Sequence, residues 1–162
     1  MVAIVEGAGL LTLLADRVTW LVDLDDRAPY DEDEPRTQVH RGEANLVSSN
    51  LPNSAGKPSH VHMPLLDLDR PYTEYDAEVL DEVFKDFTEQ PSSKVLVVPS
   101  TTEGHCHLYL QFQVPEGEYM VKLMYLAVLG LIEPGYAVVS IRRGATFLRL
   151  PHIKKQPKKE GF

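Results

Sequence analysis

The sequence predicts an α+β fold in which two helices cover one face of a small sheet. Three patterns carry that prediction. Residues 76–88 place Val79, Leu80, Val83, Phe84 and Phe87 on one helical face, with Thr73 positioned to cap the helix. Residues 117–131 repeat the helical period through Met120, Leu123, Met124 and Ala127. Residues 104–114 alternate with period two: Leu108, Leu110, Phe112 and Val114 on one face, His107, Tyr109, Gln111 and Gln113 on the other.

In chain order, residues 8–16 read as a short helix or turn and 18–24 as a strand. Residues 26–37, rich in acids and proline, read as an exposed loop, and 37–51 as a second strand with one polar face. Asn50-Leu-Pro-Asn-Ser-Ala-Gly-Lys-Pro-Ser59 is turn chemistry. Then come a strand over 60–69, the first helix, a β-branched strand over 94–99, the alternating strand and the second helix. Pro134-Gly135 turns the chain into two last strands, 136–142 and 145–150, hinged at Arg143-Gly144. The core order β-α-β-β-α-β, plus one strand, is that of a ferredoxin-like or RNA-recognition-motif-like split unit, with the N-terminal strands extending or capping the sheet.

A chain of 162 residues, 43% hydrophobic and 25% charged, suits one domain: an extension over 1–59, a core over 60–150 and a basic tail over 151–162. The longest apolar run, 123–132, is too short for a membrane span, so no membrane partner is expected. Residues 1–16 are apolar in character, but Glu6 interrupts them and no Lys or Arg precedes it, which speaks against a signal peptide. A lone cysteine, Cys106, allows no intrachain disulfide and fits a reducing cytoplasm. The net charge of −8 is uneven: 19 of 24 acids precede residue 90, and seven of 16 basic residues follow residue 140. Such an acidic chain is a poor non-specific nucleic-acid binder, although Arg142, Arg143 and Arg149 form a local cationic group able to hold phosphate.

The stretch Pro64-Leu-Leu-Asp-Leu-Asp-Arg-Pro71 carries the chemistry. In a strand, Asp67 and Asp69 share one face and Leu66 and Leu68 the other. Adjacent carboxylates repel, and a divalent cation with oxygen ligands relieves that repulsion. Solvated acids ending a strand are the plainer reading. Parity aims His105, His107 and Tyr109 from the neighbouring strand to the same open face, so Asp67, Asp69 and His107 converge. The segment 21–30 echoes 65–72, which makes Asp23 and Asp25 a second pair of the same kind.

Two rivals use the histidines. His60, His62, His105 and His107 form two HxH pairs suited to zinc, but His60 and His62 have the phase of Leu66, opposite to Asp67. Two-histidine phosphoesterases carry paired His-x-Thr/Ser motifs, and neither pair here has the hydroxyl residue.

Leu65-Leu-Asp-Leu-Asp-Arg-Pro resembles the hydrophobic–Asp–x–Asp motif of the archaeo-eukaryotic primase (prim-pol) superfamily. Ser100-Thr-Thr-Glu-Gly-His-Cys-His-Leu-Tyr resembles its second motif. The likeness covers about residues 60–150, and the wider sequence is similar to small proteins of actinobacterial phages. It implies a primase-polymerase-like protein of DNA replication, in the host cytoplasm if phage-encoded, acting on nucleotide or nucleic acid, DNA foremost. It also implies Asp67 and Asp69 as ligands of Mg²⁺ or Mn²⁺, and His107 against the nucleotide's phosphates, with Ser100 and His105 nearby. The family's third acid is missing: no Asp follows Asp86, and Ser140, Arg142 and Arg143 stand at the corresponding strand. Either Asp23 or Asp25 supplies the ligand, or the chain is a degenerate relative that binds nucleotide without polymerising it. A non-enzymatic accessory or nucleotide-binding protein on the same scaffold is the reading from a different class.

Overall fold

A computed structural model describes residues 3–4, 17–20 and 46–149. It is an α+β structure with three small sheets and, among the described residues, three helices of eight residues or more. The expectations for residues 8–16, 26–37, Asp23, Asp25 and the basic tail lie outside the described residues.

The main sheet has the order β1 (Ala3–Ile4), β7 (Val95–Pro99), β8 (Cys106–Leu110), β6 (Leu65–Leu68). β8 is antiparallel to both neighbours, while β1 runs parallel to β7. Helix α1 (Glu74–Val83) crosses from β6 to β7, leaving β8 between them. That is the strand order expected of the first three strands of the split unit. α1 and α2 (Glu116–Val128) bury one face of this sheet: Leu66, Leu68, Cys106, Leu108 and Leu110 pack with Val79, Leu80, Val83, Phe84, Leu123 and Leu126.

α1 starts where Thr73 predicts but ends at Val83, short of the expected residue 88, so Phe87 lies beyond it. Thr73 caps it, and Asp76 completes the box by accepting from the Thr73 backbone N–H at 2.9 Å. Asp76 is fully buried and takes a bidentate contact from Arg70, 2.6 Å to each oxygen. Burial pushes its carboxyl up, but the hydrogen bonds from Arg70 and Thr73 outweigh that and hold it below the usual range.

Four expectations are corrected. First, 136–142 is not a strand. Pro134–Arg143 is helix α3, with Pro134 at its first position and Gly144 (φ 74°) closing it, and it packs on α2. Pro at the first turn and Gly just past the end are helix punctuation, and they outweigh the β-branched Val138, Val139 and Ile141.

Second, 60–69 is not one strand. It breaks at Met63-Pro64 into β5 (Pro58–His62) and β6, because Pro64 has no N–H for a continuous ladder. The partner breaks at the same level, between β8 and β9 (Val114–Pro115), with Leu110 N–H donating to Pro64 O at 3.0 Å. β5 and β9 then join β4 (Asn50–Pro52) in a second sheet.

Third, the last strand, β10 (Phe147–Arg149), does not enter the main sheet. It pairs with β3 (Leu46–Ser48), which also pairs β2 (Thr19–Trp20). Fourth, Met124 does not belong to the inner face of α2, although Met120, Leu123 and Ala127 do. Tyr119, Leu123 and Leu126 are fully buried, whereas Met124 is 57% exposed.

Arg70→Ala leaves the buried Asp76 carboxylate without its cation, and we expect a loss of roughly 3 kcal/mol at pH 7. Because the folded pKa of Asp76 is depressed, its contribution is present above the unfolded pKa of about 3.9 and is lost as pH falls through the folded value. The wild-type and Arg70→Ala stabilities therefore converge in strong acid. Urea unfolding at pH 7 and pH 2.5 checks this, and a constant difference between the two would refute it.

Candidate functional site

Register brings the acid and histidine stretches together. Asp67 lies directly opposite His107 across the β6–β8 ladder, on the face away from the helices. His107 Nε2 is 3.5 Å from Asp67 Oδ1, and one step toward the strand end His105 Nδ1 is 3.4 Å from Asp69 Oδ1. Asp67, Asp69, His105 and His107 thus form two histidine–carboxylate couples side by side. The acids face solvent more than the histidines do: Asp69 is about half exposed, and His107 only 7%.

Burial pushes the His107 imidazole down to about 4, and the Arg149 guanidinium pushes the same way. Asp67 acts in the opposite direction, but a solvent-facing carboxylate at 3.5 Å is too well screened to offset burial. At neutral pH His107 is an uncharged hydrogen-bonding group. The positive charge of the site comes from Arg149, on β10, whose Nη1 reaches Thr101 Oγ1 at 3.4 Å in the β7–β8 turn. Ser100 shapes that turn: its N–H donates to His105 O at 3.0 Å, and its Oγ accepts from Thr102 N–H.

Arg142 and Arg143 are placed differently from the expectation. Both stand in the last turn of α3, so strand parity does not aim them at the open face. Among the described residues no three His, Cys, Asp or Glu side chains come together as a metal-ligand set.

At the same end of the sheet, on its helix side, lies a cavity of about 550 Å³. Pro71, Tyr72, Ala77, Val97, Pro99 and Cys106 give it apolar walls, and His105 lines it too, linking it to the Asp69 couple. Nothing in the residue spacing foretells it. It lies between the start of α1, the end of β7 and the start of β8.

The other HxH pair has its own acid. His60 Nδ1 and His62 Nε2 each lie 3.0 Å from one oxygen of Glu116, at the start of α2. His62 is fully buried, and burial lowers its pKa, so the neutral ring donates through Nε2 to Glu116 and accepts at Nδ1 from the Ser49 hydroxyl at 2.7 Å. Ser49 Oγ also accepts from Thr146 N–H at 3.0 Å. A Ser–His–Glu chain invites a hydrolytic reading, but Ser49 is completely buried and meets no substrate. Glu116 was not singled out by sequence reasoning; its one signal is a carboxylate directly after Pro115 at a helix start. The four-histidine zinc site and the two-histidine phosphoesterase arrangement both fail here. His60 and His62 stand in one sheet and His105 and His107 at another, each pair with a separate acid.

No family model, curated protein or solved structure matches the chain.

His107 stays neutral when folded but titrates near 6.5 when unfolded, so the unfolded state takes up the extra proton between those values. Stability is full above about pH 6.5 and falls by roughly 3 kcal/mol as pH drops to about 4, a window that His107→Gln removes. Ring NMR is the direct check: a His107 midpoint at or above pH 6 would show that the ring is not desolvated as described.

Proposed function

We propose that the chain binds a nucleotide, or the phosphates of nucleic acid, at the solvent-exposed end of the main sheet where Asp67 and Asp69 stand, through a Mg²⁺ or Mn²⁺ ion held by these two acids. The observation that carries this reading is the pair of register-matched couples, Asp67 with His107 and Asp69 with His105, with Arg149 beside them. Mg²⁺ needs only one or two protein carboxylates when water and substrate phosphates complete its shell, so two solvent-facing acids suit it without a closed ligand set. When bound, the ion would neutralise phosphate charge next to the two acids. Arg149 then adds the fixed cation, and the neutral His107 offers a hydrogen bond rather than a charge.

The primase-like resemblance and the ferredoxin-like order of β6, α1, β7 and β8 support this reading. Primer synthesis is not part of the proposal. Residues 134–143 form a helix without a carboxylate, so no strand there supplies a third acid for a second metal. The chain is then a nucleotide-binding protein on a primase-like scaffold.

Calorimetric titration of a nucleoside triphosphate with and without Mg²⁺ tests the idea. Asp67→Asn/Asp69→Asn removes the Mg²⁺-dependent affinity, and Arg149→Ala weakens binding about tenfold, about 1.4 kcal/mol, with a shallower salt dependence. Arg142→Ala changes affinity by less than about twofold. Binding that persists unchanged in EDTA and in the double Asp variant would overturn the assignment.

A further inference from the structure

Helix α2 is apolar on two sides. Its inner side, Tyr119, Leu123 and Leu126, is in the core. On the outer side Val121, Met124, Tyr125, Val128 and Leu129 recur at i, i+3, i+4, i+7 and i+8, and all are exposed, from 40% for Leu129 to 84% for Val128. Tyr75 of α1, 54% exposed, extends the stripe by donating from its hydroxyl to Leu129 O at 3.2 Å. From Tyr119 to Leu129 the one charged residue is Lys122, half-buried, with its Nζ 5.7 Å from the Tyr125 ring and 5.9 Å from the Phe87 ring. A helix that is apolar all round is built to be covered on both sides.

We infer that α2 is the interface of a homodimer, with the outer stripes of two copies packed antiparallel across a twofold axis near Met124 and Tyr125. Area selects a second copy, and the uncharged stripe is where two such chains can meet. The exposed surface of these six residues totals roughly 700 Å², above the usual largest apolar patch of a monomer and near the ~800 Å² per partner of a standard interface. The chain carries a net charge of −8, so contact between two copies is repulsive over most of the surface. The six side chains of the stripe carry no charge, so an isologous contact sets uncharged groups against each other at its centre. The stripe also offers no charged group that would select a partner of different sequence.

This inference is independent of the nucleotide reading, and its test does not use nucleotide. Sedimentation equilibrium of the full chain should give twice 18.2 kDa at concentrations of tens of micromolar. Met124→Glu, beside the axis, should weaken the dimer at least tenfold while leaving the far-UV circular dichroism and melting unchanged, since its side chain is already solvated. Val128→Glu, at the most exposed position, should do the same and serves if the first variant folds poorly. An equimolar mixture of Met124→Glu and Met124→Lys should recover a dimer that neither variant forms alone. Wild type sedimenting at 18.2 kDa, a dimer insensitive to both Glu variants, or a mixture that stays monomeric would each overturn the inference.

Discussion

Strand β8 is buried along its whole length, and the rest of the architecture follows from that constraint. Cys106, His107, Leu108, Tyr109 and Leu110 are all buried, with β6 on one side and β7 on the other. With β6 laddered to one edge and β7 to the other, the β8 backbone is hydrogen-bonded on both sides, so the strand acts as a rigid rail. Its helix-side residues seed the core with Leu66, Leu68, Val79, Leu80 and Leu123. Its other side holds His107 in a desolvated position opposite Asp67. One strand therefore supplies both the packing and the unusual electrostatics of the site.

The two HxH segments show how tertiary context divides identical patterns. His60-Val-His62 lies past the break at Pro64, in a different sheet, where Glu116 and Ser49 satisfy both ring nitrogens of His62. That cluster ties β5, the bend at Ser49 and the start of α2 together. His105 and His107 lie on the side away from the helices, next to acids that remain in contact with water. The first pair is a cross-link, and the second stands beside two carboxylates that reach water.

The second face of the main sheet is held by a polar clamp. Arg17, with only 8% of its surface exposed, donates from one terminal nitrogen to the carbonyls of Ser48, Ser49 and Met63, each at 3.2 Å, and burial lowers its pKa to about 10. The Tyr119 and Tyr136 hydroxyls both reach Leu65 O, and Tyr119 also bonds the Thr146 hydroxyl at 2.6 Å. These bonds set β10 against β6 and so deliver Arg149 to the site. Sequence spacing shows none of them, because their partners lie 27 to 71 residues apart.

Much of the core was legible in the residues. Thr73 with Asp76 marks a capping box, the period-two pattern around Leu108 marks a buried strand, and parity alone puts Asp67 and His107 on the same face. These are local properties, fixed by backbone geometry over a few residues. The sequence left undecided everything that depends on distant contacts. Pro134 and Gly144 turned a β-branched segment into a helix, taking Arg142 and Arg143 off the sheet. Pro64 split one strand between two sheets. Of the residues whose spacing suggests the inner face of α2, Met124 alone falls outside it, because both faces are apolar and periodicity cannot mark the edge between two such stripes. Only packing against Phe84 and Leu108 decides that Leu123 and Leu126 face the core and Met124 faces water.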